Sequence, residues 1–313
     1  MKTTHALFYI FVSALALLLQ GCAVTGHPVT DAAMGRPSGS AEMERLLDQP
    51  GPVALETVAS ADWSVSLAGM VNLKRPAAIA AGLQDRDEPI QVYAHVLKHP
   101  KYGNFLVDTG ISRKLVDDPA GSGVSWLVRE VMHIDKLKIR KSTAEILQEL
   151  NGPLSGVFFT HLHVDHIAGL PDIPADTPLY IAWPEATEGR SFKYIFTRGS
   201  TNDLLAGKPL REWHFQPDPQ GKFEGVMDVF GDGSVFAISV PGHTPGSVAY
   251  VVRTPQGPVL LTGDTSHTRW GWEHGVEPGD YTDDNDRNLK SLQRLKALAD
   301  RHPNMAVRLG HQP

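Results

Sequence analysis

A chain of 313 residues can build one large α/β domain or two small ones, which excludes a peptide or a stapled miniature scaffold. Hydrophobic residues at 42% and charged residues at 20% are an ordinary globular balance, unlike that of a disordered chain or a multi-span membrane protein. A formal charge of −6 argues against nucleic acid as a partner, and the single cysteine, Cys22, excludes an intrachain disulfide or a thiolate-rich zinc site.

Lys2 precedes an apolar stretch over residues 6–19 that is broken only by Ser13 and is too short to span a bilayer comfortably. Residues 1–21 therefore read as an export signal. Leu19-Gln20-Gly21-Cys22 resembles a bacterial lipobox, which implies a lipoprotein signal peptide and lipidation at Cys22 as the mature amino terminus. With Ala23 next, that resemblance leans towards a periplasmic protein anchored to the outer membrane. A plain secretory signal or an anchor helix is the alternative.

Residues 22–60 are rich in Gly, Pro, Ser, Thr and Ala, with a short helical candidate at 41–47, and read as a flexible tether ahead of one domain at 61–313. Apolar runs predict strands at 64–73, 90–97, 105–107, 157–160, 179–182, 235–240, 248–252 and 259–262. Turn residues at 101–104, 231–234 and 254–257 predict hairpins. Ser142 with Glu145 three residues on is a capping-box pattern that opens a helix over 142–150. Leu289, Leu292, Leu295 and Leu298 line one face of a second helix over 284–299, which Pro303 stops. Strands first, then strands alternating with helices, predict an α/β fold of two face-to-face sheets with helices outside.

The chemistry is concentrated in Thr160-His161-Leu162-His163-Val164-Asp165-His166, which leaves the end of the predicted strand at 157–160. In extended backbone His161 and His163 point the same way, while Asp165 and His166 begin the next turn, so two adjacent metals can share the loop. Three further fragments place a ligand-type side chain beside a glycine just past a strand: Gly242-His243, Gly263-Asp264 and Gly310-His311. Asp108-Thr109-Gly110 matches an aspartic-protease turn, but such enzymes need a second carboxylate turn, and the tripeptide reads instead as a strand end near the metal loop.

Together these fragments resemble the metallo-β-lactamase superfamily over essentially all of 61–313. The resemblance implies a four-layer αββα sandwich. It implies that His161, His163 and His243 hold one divalent metal, that Asp165, His166 and His311 hold a second, and that Asp264 bridges both. Such a pair shares a water, lowers its pKa towards neutrality and presents hydroxide to a carbonyl. Zinc is the expected metal, although the same nitrogen and oxygen set accepts iron, manganese or cobalt.

Within that superfamily Asp264 and the stretch Phe230-Gly231-Asp232-Gly233-Ser234 leading to Pro241-Gly242-His243-Thr244-Pro245-Gly246-Ser247 look like N-acyl-homoserine lactonases. The implied activity is opening of a lactone or a related ester; the alternatives are a β-lactamase-like amidase and a non-catalytic metal-binding lipoprotein. Asp165 is a ligand or the group that protonates the leaving alkoxide. His267 stands where many such lactonases carry a tyrosine on the substrate carbonyl, and a neutral imidazole can donate one hydrogen bond there. Trp183, Phe192, Tyr194, Phe196, Trp270 and Trp272 are candidates to wall an acyl pocket. No role is read for His95, His99, His133, His214 or His274.

Overall fold

Trp63 and Val65 turn inward while Asp62 and Ser64 stay partly exposed, the two-residue period of a strand with one buried face. That strand, β3, is the backbone of the larger sheet in the computed structural model, which describes residues 24–188 and 194–313, and side chains from 196 in the second part.

Fourteen strands form two sheets among the described residues. They are β1 (Val29–Asp31), β2 (Arg36–Ser38), β3 (Ala54–Ser66), β4 (Asp87–His99), β5 (Gly103–Val107), β6 (Lys138–Ile139) and β7 (Leu154–Phe158). The rest are β8 (Leu179–Ala182), β9 (Leu210–Trp213), β10 (Val226–Asp228), β11 (Val235–Ser239), β12 (Val248–Thr254), β13 (Gly257–Leu261) and β14 (Ala306–Arg308). The eight-stranded sheet runs β1-β9-β8-β7-β5-β4-β3-β6, and the six-stranded sheet runs β14-β13-β12-β11-β10-β2.

Three apolar layers show how the sheets stack. Phe105, Phe158, Trp213, Phe230 and Tyr250 fill the space between the sheets, with the Phe105 and Phe158 rings stacked at 4.9 Å. Val92, Leu106, Val157 and Ile181 on the other face of the larger sheet pack under the helices of the 111–173 region. Phe236, Ile238, Val251 and Leu260 pack beneath helices Ser40–Leu47 and Asn285–Arg301. This is the αββα sandwich, each layer burying the apolar side of its neighbour.

The expected hairpins form as antiparallel pairs, β4 with β5, β10 with β11 and β12 with β13. The capping box at Ser142 and Glu145 is present and starts helix Thr143–Gln148. Helix Asn285–Arg301 is capped by Asp284 and buries Leu292, Leu295 and Leu298.

The amino-terminal part departs from expectation. The stretch expected as a tether over 22–60 contributes strands to both sheets: β1 pairs with β9, β2 pairs with β10, and Met43 and Leu47 are fully buried. The boundary expected at residue 61 falls inside β3, and the strand expected at 64–73 ends at Ser66, with helix Leu67–Met70 following. Residues 1–21, expected as a signal peptide, and Cys22 lie outside the described residues. No helix among the described residues is long and apolar enough to cross a membrane.

Candidate active site

The ligand-type residues leave four strands at one edge of the sandwich: the 160–166 loop after β7, Pro241–Gly246 after β11, Asp264 after β13 and His311 after β14. Parallel β5, β7 and β8 in one sheet, facing β11 and β13 in the other, bring these carboxyl ends together.

Asp264 is the hub. Its Oδ2 lies 3.6 Å from His161 Nε2, 3.3 Å from His166 Nε2, 3.4 Å from His243 Nε2, 3.0 Å from His267 Nε2 and 3.3 Å from His311 Nε2. Asp165 Oδ2 stands 3.5 Å from His166 Nε2 and 3.4 Å from His311 Nε2. Two donor groups result: His161, His163, His243 and Asp264, and Asp165, His166, Asp264 and His311, with the donor atoms of each within 4.8 Å of one another. All seven ligand-type residues expected from the sequence are brought together, and Asp264 belongs to both groups.

The outward nitrogens of four of these rings, His161, His166, His243 and His311, are held from behind. Asp108 Oδ1 accepts the Thr160 N–H at 2.9 Å, while Oδ2 accepts the Thr160 hydroxyl at 2.8 Å and the His166 Nδ1 proton at 2.8 Å. Because Thr160 Oγ1 gives its proton to Asp108, it accepts from His161 Nδ1, 3.0 Å away. One carboxylate thereby directs the Nε2 lone pairs of both His161 and His166 inward. His311 Nδ1 donates to the Gln91 carbonyl at 2.9 Å, and His243 Nδ1 lies 3.3 Å from Thr282 Oγ1.

Buried His161 Nε2, His166 Nε2 and Asp264 Oδ1 have no hydrogen-bond partner among the described residues, a costly arrangement unless a ligand meets them. Imidazole nitrogens and carboxylate oxygens, inward-facing and fixed from behind, fit a pair of divalent metals. Charge leans the same way. Burial pushes Asp264 up, but His267, His166 and His311 around it hold it well below the usual carboxylate range. Burial opposes a charged His166, yet Asp264 and Asp108 raise it well above the ordinary histidine value. The pocket is organised around positive charge.

Gly310 lets the backbone pass close to this hub. A Cβ there meets Asp264 Oδ1 at 2.3 Å and the Gly263 carbonyl oxygen at 2.9 Å. Gly310→Ala is therefore expected to displace the carboxylate and lower the metal content of the purified protein, measured by elemental analysis, with the far-ultraviolet circular dichroism spectrum unchanged.

Two supporting residues escaped the sequence reading. Asp108 was legible only as a strand-end turn. Glu185 carried no signal, yet its buried carboxylate accepts the Leu162 N–H at 2.8 Å, the Gly246 N–H at 3.1 Å and the Thr244 hydroxyl at 2.7 Å. It joins the loop bearing His161 and His163 to the loop bearing His243. Burial pushes Glu185 up to about 7.

A cavity of about 380 Å³ opens over the cluster, with His163, Asp165, His243, Asp264, His267 and His311 on its floor. Trp63, Val65, Met70, Ile90, Met132 and Tyr281 form much of its apolar wall, and His133, for which no role was read, also faces it. The aromatic wall is thus not the one expected. Trp183 stacks on His214, Trp270 on His274, and Trp272 lies under the Lys296 ammonium. Phe196 is half exposed, while Phe192 and the side chain of Tyr194 lie outside the described residues. His267 is buried, and neither of its ring nitrogens has a hydrogen-bond partner among the described residues.

The chain is similar to an N-acyl homoserine lactonase AttM of Azorhizobium caulinodans, 29% identical over 239 residues that cover 72% of this chain and 84% of the relative. The AttM lactonase of Agrobacterium fabrum is 28% identical with the same coverage. The solved structure of a quorum-quenching N-acyl homoserine lactone lactonase superposes with a TM-score of 0.58 at 20% identity, over 85% of this chain and 94% of that one, a likeness of fold. The family model of the metallo-beta-lactamase superfamily matches residues 87–311, a span that holds every residue of the two donor groups. The chain belongs to the metallo-beta-lactamase superfamily of metal-dependent hydrolases.

Proposed function

We propose that this hydrolase opens lactone rings of the N-acyl-homoserine lactone type, or related esters, at a two-metal centre that takes zinc. The observation that carries the reading is Asp264, one carboxylate common to both donor groups beneath an apolar cavity, in a chain similar to AttM lactonases. When bound, the metal pair supplies a water-derived nucleophile at neutral pH and polarises the carbonyl under attack.

The protein's own groups do the rest. Asp108, Thr160, Gln91 and Thr282 fix the ligand rings, so little reorganisation is needed when charge develops. Trp63, Met70 and Tyr281 exclude water around an apolar acyl substituent. Asp165, with 13% of its side chain accessible against 4% for Asp264, is the carboxylate that reaches the cavity's solvent and passes a proton to the departing alkoxide. His267 sits on the cavity floor beside Asp264, and burial lowers its pKa, so it is a neutral ring that donates one hydrogen bond to the substrate carbonyl.

The substrate class is tested by measuring kcat/KM for a lactone series and a β-lactam series on one preparation of defined metal content. Lactones are expected to be favoured; a clear β-lactam preference gives the substrate assignment to the amidase alternative. His267→Ala is expected to lower kcat and kcat/KM together by roughly tenfold or more, and His267→Tyr to keep much of the rate, because a phenol donates from a similar place. Equal losses in the two variants remove His267 from the reaction.

We further propose that the protein is exported and held by lipid on Cys22 at the periplasmic side of the outer membrane. The apolar stretch at 6–19 and the lipobox-like Leu19-Gln20-Gly21-Cys22 support this. Membrane fractionation at high salt tests it: Cys22→Ser is expected to release the protein, and retention of that variant overturns the anchor.

A further inference from the structure

Two helices that wall the cavity mouth carry an apolar outer surface. On helix Trp126–Val131, Trp126 and Val131 are each 71% exposed and Leu127 is 37% exposed; on helix Tyr194–Leu205, Phe196 is 50% exposed. Val131 also lines the cavity, as does Thr197 of the second helix. The patch therefore runs from the protein surface into the mouth of the site. Single exposed apolar residues are ordinary, but a group gathered on the rim of a cavity marks a surface that meets something apolar.

The path of the chain indicates what that is. Val24 is buried, the Thr25 N–H donates to the Ala186 carbonyl at 3.2 Å, and the Gly26 N–H donates to Asn202 Oδ1 at 2.8 Å. Asn202 belongs to helix Tyr194–Leu205. On the same helix Ser200 Oγ accepts the Ser125 N–H at 3.0 Å, one residue before Trp126. Asn202 and Ser200, two residues apart, lie on opposite faces of the helix, so the chain joins the domain on one face and Trp126 begins on the other, a helix diameter across. Cys22 stands two residues before Val24, and the apolar stretch at 6–19 precedes it.

We propose that this rim rests in the surface of a lipid bilayer, so that the cavity mouth faces the membrane and takes acylated substrate from it. The proposal rests on the membrane-attachment reading given above. A terminal anchor alone leaves a domain free to turn, whereas a second apolar contact beside it fixes which face meets the lipid. Tryptophan suits the headgroup boundary, being apolar in body and polar at its N–H. With 35 acidic against 29 basic residues, the chain gains little from attraction to anionic lipid, which leaves apolar insertion as the contact.

The test uses the full chain, extracted in detergent and reconstituted into phosphatidylethanolamine–phosphatidylglycerol vesicles, with and without phosphatidylcholine brominated in its acyl chains. Bromine quenches tryptophan within its reach. The wild-type protein is expected to float with the vesicles and to lose emission when brominated lipid is present, and Trp126→Phe to float equally but lose clearly less. Flotation with the same quenching in both proteins overturns the docking while leaving the anchor in place; a second copy of the chain covering the patch gives that result together with a doubled mass in mild detergent. A wild-type chain that does not float removes the anchor and the docking together.

Discussion

Asp264→Ala is expected to lower the metal content of the purified protein and to reduce hydrolysis by roughly a hundredfold or more, the scale of losing a transition-state electrostatic contact. Five imidazole Nε2 atoms stand 3.0–3.6 Å from Asp264 Oδ2, and Asp264 is common to both donor groups. No other described side chain can replace it, because a carboxylate at this place is the one group that carries negative charge to both groups at once. Its removal also takes away the main attraction that raises His166 and contributes to raising His311, so the protons that compete with metal are held less tightly. The expected loss of activity therefore comes from the missing carboxylate and not from proton competition. Asp264→Asn separates charge from shape, since it keeps the volume and one oxygen but no charge, and is expected to be nearly as damaged as Asp264→Ala. Elemental analysis alongside kcat/KM decides the matter: two metals and full rate in either variant remove Asp264 from the centre.

Glu185→Gln is expected to change stability in a pH-dependent way that identifies this carboxyl as a fastening between two metal-bearing loops. In the folded protein Glu185 meets two backbone N–H groups and the Thr244 hydroxyl. A carboxamide can accept from one N–H, but its NH₂ then faces the other, leaving a buried donor unpaired at a cost of about 1–3 kcal/mol. Burial raises Glu185 from 4.5 to about 7 in the folded state. Below pH 4.5 the group is protonated whether the chain is folded or not. Between pH 4.5 and about 7 the unfolded chain ionises first, so the folded state loses about 3 kcal/mol of stability across this window from the one group. Glutamine does not titrate. The variant is therefore expected to be less stable than the wild type near pH 5 and to close the gap as pH rises towards 7. Urea unfolding of the metal-free protein at pH 5, 6 and 7 measures it, and a gap that is constant with pH contradicts the buried titration. Because the same carboxyl joins the loops of His161, His163 and His243, the variant is also expected to bind metal more weakly at that group of three.

The legible parts of the fold were those in which neighbours along the chain settle the matter. The hairpins at 101–104, 231–234 and 254–257, the capping box of Ser142 and Glu145 and the leucine face of the last long helix are all local patterns. The metal cluster was legible for a related reason. Each of its side chains directly follows a strand beside a glycine or within a dense His and Asp string, and the resemblance to a known family then assigned each one to a metal.

The amino-terminal segment was not legible. β1 and β2 have three residues each, too few to show a period, and their partners β9 and β10 lie some 180 or more residues along the chain. Nothing in their Gly- and Pro-containing composition announces a pairing that pays its loop-closure entropy only once both sheets exist. The cavity wall failed for the same cause: Trp63 and Tyr281 reach it from β3 and from the segment before the last long helix, while the tryptophans nearer the ligands in sequence turn to His214, His274 and Lys296.

By itself, then, the sequence determined which donors gather at the site, because imidazole and carboxylate side chains placed just past strand ends have few other uses in such number. It also determined the layer type, because apolar period and turn residues are local properties. Tertiary structure alone decided which groups support that chemistry. Asp108 and Glu185 matter through hydrogen bonds to atoms more than fifty and more than twenty residues away, respectively, and a single Asp or Glu has no local pattern that separates a buried fastening from a solvated side chain.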